Sequence, residues 1–344
     1  MINFLSVFPI KFLFRPIYGG EGSILFFHKV VENKRSGERV SLMEANEIEV
    51  DFLEKIILYV RKNGYQIISL DEMSARLDNP GKGKSKFVVF TFDDGYIDNY
   101  TLAYPVFKKH QAPFTIYLTN CFPNRSAKIW WYMLEDILLE QEEISIRVRD
   151  ELRNFRCKKP KEMETAFVAI RDLFINASPN DQLELIDQLA GKYNKSIMAY
   201  VEAEALSWNE IEKLSSDPLV TLAGHTMNHI TLNKVNSEEA LAEIMDSKVE
   251  IESKIQQEVF HFAYPFGTRN EVNEPEVALV AESGAFKTAT TTRMGNIFKS
   301  HVSAKFALPR IQVLGSQQKL AILDLYLSGT LPAIKNKLKR VVTL

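Results

Sequence analysis

The chain has 344 residues, 46% of them hydrophobic, with 42 basic and 44 acidic side chains and a net charge of −2. That length accommodates one large α/β domain with a sizeable insertion, and the near-neutral balance provides no field for nucleic acid or an acidic polymer. Two cysteines, Cys121 and Cys157, are too few for a disulfide framework and are compatible with a reducing compartment.

The chain starts with apolar and aromatic residues (Phe4, Leu5, Val7, Phe8, Ile10, Phe12, Leu13, Phe14) interrupted by Pro9 and Lys11. The stretch falls short of the roughly 20 apolar residues a bilayer span needs, and it lacks a basic leader and a small-residue cleavage site. Residues 1–21 therefore read as an apolar arm packed on the domain, with an interfacial membrane contact as the second option. Ser23–Phe27 is the first predicted strand, and His28 follows it at once. A histidine there has chemical meaning in a parallel sheet or barrel, where sites gather at strand C-terminal ends; elsewhere it is a structural residue. Apolar spacing predicts a helix over 47–62, stopped by Asn63-Gly64, then a strand over 65–70 and a helix over 71–77 capped by Ser69 or Asp71. Residues 78–84 form a solvated loop.

The apolar run Phe87–Phe90 predicts a buried strand that ends in Asp93-Asp94-Gly95-Tyr96. Two adjacent carboxylates at a strand end mark either a site or an ordinary Asp-Gly turn, and Gly95 permits a sharp bend in both cases. A helix over 98–110 and a strand over 113–118 continue the alternation, which indicates parallel strands in an α/β fold. From about 124 to 204 the rhythm breaks into helical patterns, with Ile144–Val148 the clearest strand signal, so this segment reads as a mainly helical insertion. Within it, Trp130-Trp131 is either a platform for a sugar ring or packing between insertion and core. A capping box at Ser207 and Glu210 restarts the alternation, and a strand over 220–223 runs into Gly224-His225-Thr226-Met227-Asn228-His229. Histidines at i and i+4 lie on one face of a helical turn, a spacing that grips one metal ion. With one carboxylate they form a three-ligand set that leaves a position open for water. At the C-terminus Leu331, Ile334, Leu338 and Val341 recur at helical spacing among Lys335, Lys337, Lys339 and Arg340, which predicts over 316–344 a basic solvated helix or tail, or a membrane-surface contact.

Thr91-Phe92-Asp93-Asp94-Gly95-Tyr96 and His225-Thr226-Met227-Asn228-His229 resemble the first two motifs of the polysaccharide deacetylase (NodB-homology, carbohydrate esterase family 4) superfamily. Phe262-Ala263-Tyr264-Pro265-Phe266-Gly267 resembles the third, and His28-Lys29-Val30 with Leu308-Pro309-Arg310-Ile311 resembles its bacterial surface-polysaccharide branch. The resemblance spans about 22–315. It implies a distorted (β/α) barrel with fewer than eight repeats, and a divalent metal, usually zinc, at the strand C-terminal ends. It also implies removal of an acetyl group from an N-acetylated or O-acetylated sugar. Carried over residue by residue, Asp94, His225 and His229 hold the metal, Asp93 is the general base, the backbone N–H of Tyr96 helps hold the oxyanion, and Thr226 fixes the histidine loop. Two departures stand out. Ala263 occupies the place where many members carry the arginine that orients the base, which leaves Arg310 to supply the charge from another direction. The late Leu-x-x-His motif is also missing, which makes His28 the first candidate for general acid, ahead of His261 and His301.

A metal-dependent carbohydrate deacetylase is therefore the leading expectation, with a polymer, a lipid-linked intermediate or a nucleotide sugar as its acetylated substrate. A non-catalytic metal-dependent glycan-binding module is the alternative. Phosphoryl transfer is weaker because no phosphate-cradling Gly-rich loop is present. Without an export signal the expected location is the cytoplasm, against the inner membrane surface if the apolar and basic chain ends make contact.

Overall fold

Runs of apolar residues that are buried on both faces pair in parallel when helices cover the sheet, and this chain follows that rule. The computed structural model describes residues 10–34, 37–79 and 85–344. Among them, seven parallel strands form a ring in the order Gly22–Phe27, Leu308–Gln312, Thr288–Met294, His261–Ala263, Val220–Gly224, Phe114–Leu118 and Phe87–Phe92. Pairing of Gly22–Phe27 with Phe87–Phe92 along its full length closes the ring. The two-residue strand Gln66–Ile67 pairs only with Phe87 and Val88, while Phe114–Leu118 takes Thr91 and Phe92. The architecture is thus a distorted (β/α) barrel with fewer than eight repeats, as expected.

Side chains alternate across each strand. Along 87–92 this parity sends Val88, Phe90 and Phe92 outward into the layer of covering helices, where Phe107 stacks on Phe114 at 4.4 Å and meets Phe90 and Phe92 edge-on. Phe87 and Val89 point into the barrel with Ile24, Tyr117, Ala223, Ala263 and Leu308. Asp93 inherits the inward parity.

The segment between 124 and 204 has its own buried cluster, including Ile137, Phe167, Ile170, Phe174, Ile186 and Leu189. It consists of helices Trp130–Glu140, Pro160–Asn176, Pro179–Lys192 and Ile197–Glu204, with an antiparallel hairpin of Glu143–Val148 and Glu151–Arg156. The second hairpin strand is nearly all exposed, so its sequence carries no alternation to reveal it. Arg39 fastens the segment to the barrel side by pairing with Glu47 at 3.0 Å and with Glu135 at 2.7 Å.

Several expected elements differ. Glu47–Glu49 is a strand paired in parallel with Lys29–Val31, and the helix begins only at Val50. Only Gln66–Ile67 of the 65–70 stretch is strand; the next helix, Leu70–Asp78, starts at its Ser69 cap. The expected helix over 98–110 opens with a π-helical turn, Asn99–Ala103, because Pro105 in the following helix has no N–H to continue the regular ladder. At the end of this helix His110 Nε2 lies 2.6 Å from Glu54. The C-terminal helix is short, Thr330–Lys335, and ends in left-handed Lys337 and Leu338. Beyond it the tail is pinned, with the Val342 carbonyl on His301 and the Thr343 carbonyl on Arg293. Of the expected apolar arm, residues 1–9 lie outside the described residues, and Ile10–Tyr18 is a helix. The loop expected over 78–84 falls mostly outside them as well. No helix among the described residues is long and apolar enough to cross a membrane.

Phe107 is fully buried against the rings of Phe90, Phe92 and Phe114 in the barrel's outer layer, so Phe107→Ala is expected to cost about 3–5 kcal/mol of stability. Urea unfolding followed by circular dichroism measures this.

Candidate functional site

The site forms where the strands end. The Asp93 N–H still donates to the Phe27 carbonyl at 3.0 Å, and the next two residues leave the strand with φ of 75° at Asp94 and 95° at Gly95. A Cβ at Gly95 would lie 2.9 Å from Leu118 Cδ2, so both backbone angle and space favour glycine. This turn swings the Asp94 carboxylate out of line with Asp93 and toward the end of the Val220–Gly224 strand.

There the histidines meet it, but not on a helical turn as their spacing predicts. Residues 225–230 are loop, with left-handed backbone at Thr226 and His229. Neighbouring elements satisfy its backbone instead. Asn120 N–H donates to the Thr226 carbonyl, Cys121 N–H to the Met227 carbonyl, and Met227 N–H to the Glu243 carbonyl. The Glu243 side chain accepts from both the backbone and the side chain of Asn228. The Thr226 hydroxyl, expected to fix the loop, is buried without a partner; its carbonyl does that work.

Asp94 Oδ1 lies 3.4 Å from His225 Nε2 and 3.2 Å from His229 Nε2. One donor atom from each residue falls within 4.8 Å of the others. His225 Nδ1–H donates to the Ala263 carbonyl at 2.7 Å, which leaves the Nε2 lone pair directed at Asp94. The His229 ring is held between Phe266 at 5.0 Å and Trp131 at 5.9 Å. When no cation is bound and the imidazoles carry protons on Nε2 instead, burial raises the Asp94 carboxyl, but the charge of His229 and hydrogen bonds from both rings outweigh it and hold the group well below the usual range. Three converging lone-pair donors, two imidazoles and one carboxylate, fit a divalent cation with a coordination position left over. Asp94, Thr226 and His229, with Phe266 beside them, adopt left-handed angles, as residues do in sites whose geometry is fixed by their surroundings.

Asp93 points inside the barrel and meets Arg310, which is fully buried. The guanidinium donates to Asp93 Oδ1 at 2.6 Å and Oδ2 at 2.8 Å, and through Nε to the Thr291 carbonyl at 3.0 Å. Its plane lies over Phe26 at 4.3 Å. Burial raises the Asp93 carboxyl, yet the Arg310 charge and its two hydrogen bonds prevail and keep it ionised. Arg310 thus brings a positive charge to Asp93 from the strand Leu308–Gln312, where Ala263 offers none.

A cavity of about 450 Å³ opens onto Asp93, Asp94, His225 and His229, and His28 and Trp131 line it too. Among the described residues the buried His28 Nδ1 has no partner, and burial lowers the pKa of the ring despite the pull of Asp94 and Asp93. The other candidate histidines lie elsewhere. His261 begins its strand and so sits at the opposite end of the barrel, bonded to Thr288 and facing Asp71. His301 takes the Phe298 N–H and holds the Val342 carbonyl at the tail. The Tyr96 hydroxyl accepts from Trp131 Nε1 at 2.9 Å, while among the described residues its backbone N–H has no acceptor. The tryptophan pair divides its work. Both line the cavity, but Trp130 is buried edge-on against Phe174 while Trp131 keeps part of its ring exposed. Sequence reading missed the Ala263 carbonyl, because a backbone atom leaves no side-chain signal. It also missed Phe167, Val168 and Arg171, which reach the cavity from a helix of the insertion without a local motif.

Comparison with known proteins bears on the family and the fold. The model of the family described as polysaccharide deacetylase matches residues 80–150 and 173–282. A Bacillus subtilis (strain 168) protein, YxkH, named as a candidate polysaccharide deacetylase, is 29% identical over 150 residues, which cover 42% of this chain and 51% of that protein. The chain thus spans about half the length of that curated relative. Among solved structures, the Streptococcus pyogenes deacetylase PplD, in complex with acetate, aligns with a TM-score of 0.57 at 17% identity, covering 88% of this chain and 96% of its own. IcaB from Ammonifex degensii aligns with a TM-score of 0.55 at 14% identity, covering 90% and 97%. At such identities the structural likeness establishes the barrel, and the family match spans more than half of the sequence: the chain belongs to the polysaccharide deacetylase family.

Proposed function

We propose that this protein hydrolyses the acetyl group from an N-acetylated, or alternatively O-acetylated, sugar in surface-polysaccharide biosynthesis. The observation that carries the reading is the meeting, in one cavity, of the Asp94, His225 and His229 donors with an Asp93 carboxylate held by Arg310. Asp94, His225 and His229 are the residues that would hold a divalent cation, Zn2+ being the simplest match to that donor set. Once bound, the cation supplies Lewis acidity toward the acyl oxygen and acidifies a water.

The remaining steps belong to the chain's own groups. Asp93 takes the proton of the attacking water, and its bidentate grip on Arg310 fixes the carboxylate and keeps it ionised until then. The Tyr96 N–H donates to the oxygen on which negative charge develops. His28, neutral because burial lowers its pKa, lines the same cavity and serves the leaving group as a relay: its imidazole gives a proton to the departing nitrogen or oxygen as it accepts the one that Asp93 took from the water, so that both side chains end as they began. Trp131 offers its face to the sugar ring. Arg310 answers one of the two motives for the non-catalytic alternative, the missing arginine, and His28 is offered against the other, the missing late histidine.

Incubation with N-acetylhexosamine oligomers is expected to release acetate, to stop with chelator and to resume when Zn2+ is restored. Asp93→Asn should retain the metal but lose activity by on the order of a hundredfold to ten-thousandfold, and full turnover in that variant would remove Asp93 as the base.

Arg310→Met tests the ion pair through stability. Asp93 is depressed in the folded protein, so its pairing stabilises fully above about pH 4 and fades as pH falls through the lower folded value. Without the guanidinium, burial instead raises Asp93. The metal-stripped variant should be less stable than wild type by about 3–5 kcal/mol near neutral pH, and the gap should narrow on acidification as Asp93 protonates. Urea unfolding of both proteins at neutral and acidic pH reads the difference.

A further inference from the structure

The helix Ile10–Tyr18 carries no acidic residue and divides by exposure into two sides. Its inner side is tied to the domain. Arg15 donates to the Tyr65 hydroxyl at 2.7 Å, Lys11 pairs with Asp324, and the Tyr18 carbonyl accepts from Asn296. Its outer side is Phe12, Leu13, Pro16 and Ile17, a stripe at helical spacing that is apolar throughout. Leu13 at 73% and Phe12 at 64% are the most exposed large apolar side chains among the described residues.

The C-terminal helix Thr330–Lys335 packs alongside. The approach is so close that a Cβ on Gly329 would lie 2.1 Å from the Tyr18 carbonyl oxygen. This neighbour brings exposed Ile334 and Leu338, and with them Lys335, Lys337, Lys339 and Arg340, all exposed. No acidic side chain occurs from Lys335 to Leu344. The two ends of the chain thus build one patch in which apolar side chains are edged by positive charge.

We propose that this patch seats the protein on an anionic phospholipid bilayer. Charge complementarity selects that occupant: the apolar stripe suits the boundary of the acyl region, and the lysines and arginine suit the headgroup phosphates beside it. The mode is peripheral, since the helix has nine residues and no described helix is long enough to span. The contacts of Arg15 with Tyr65, just before the Gln66–Ile67 strand, and of Gly19 with Lys86, just before Phe87–Phe92, place the patch at the strands' N-terminal ends. The cavity at their C-terminal ends faces away from it.

Sedimentation of the full chain with vesicles tests this, using phosphatidylcholine alone and phosphatidylcholine mixed with phosphatidylglycerol. Binding is expected to the mixed vesicles, weakening by about tenfold or more as salt screens the cations. The exposed pair Phe12→Asp with Leu13→Asp should abolish binding while circular dichroism and the melting temperature stay unchanged. Lys337→Glu with Lys339→Glu should abolish the preference for the anionic lipid. Failure to bind mixed vesicles, or binding that neither pair alters, would overturn the proposal. So would a dimer in light scattering that Phe12→Asp with Leu13→Asp dissolves and that leaves no vesicle binding, because the patch would then be a contact between copies. None of these readings depends on acetate release.

Discussion

A carboxylate buried inside a barrel cannot remain ionised without a counter-charge, and the Asp93–Arg310 pair meets that requirement here. Strand parity brings it about. Asp93 continues the inward row of Phe87 and Val89, and Arg310 enters the same interior from Leu308–Gln312, two places round the ring. Phe26 and Tyr117 flank the guanidinium and keep water from it, so the pair works in a medium where charge interactions are strong. Below it the barrel's interior mixes apolar side chains with buried threonines, and this pair near its upper end converts a packed core into the floor of a site.

The second layer of organisation is backbone. Asp94, Thr226 and His229 all adopt left-handed angles, and neighbours from three other segments compensate them: Asn120 and Cys121 after Phe114–Leu118, Glu243 on helix Ser237–Ile255, and the Ala263 carbonyl on the next strand. The His225 ring is oriented by that carbonyl before any ligand arrives. Such preorganisation is stored by the fold, since each strained residue would relax if its partners were absent.

What was legible in the sequence follows from where the information resides. Apolar runs and strand-end polar motifs are local, so the barrel and Asp93, Asp94, His225 and His229 could be read along the chain. The loop shape of 225–230 was not, because a four-residue spacing suits both a helical turn and a strained loop, and the deciding hydrogen bonds come from residues more than ten positions away. His261 and His301 were poor candidates for the same reason in reverse. Each has ordinary local surroundings, and only the direction of its strand or the course of the tail shows that it serves packing. The hairpin strand Glu151–Arg156 was invisible because it buries almost nothing. Trp130 and Trp131 share one motif yet face different tasks, since adjacent helical positions are turned about 100° apart.

The strand order has a consequence for how the protein is made. Gly22–Phe27 is synthesised first, but it pairs with Phe87–Phe92 on one side and with Leu308–Gln312 on the other. A ribosome must therefore deliver nearly the entire sequence before the ring can close, and the guanidinium for Asp93 arrives on that last strand. Until it does, the interior carboxylate favours an open, hydrated barrel over a closed one. Completion of the chain and formation of the Asp93–Arg310 pair are thereby a single event, and a prematurely ended product would lack both.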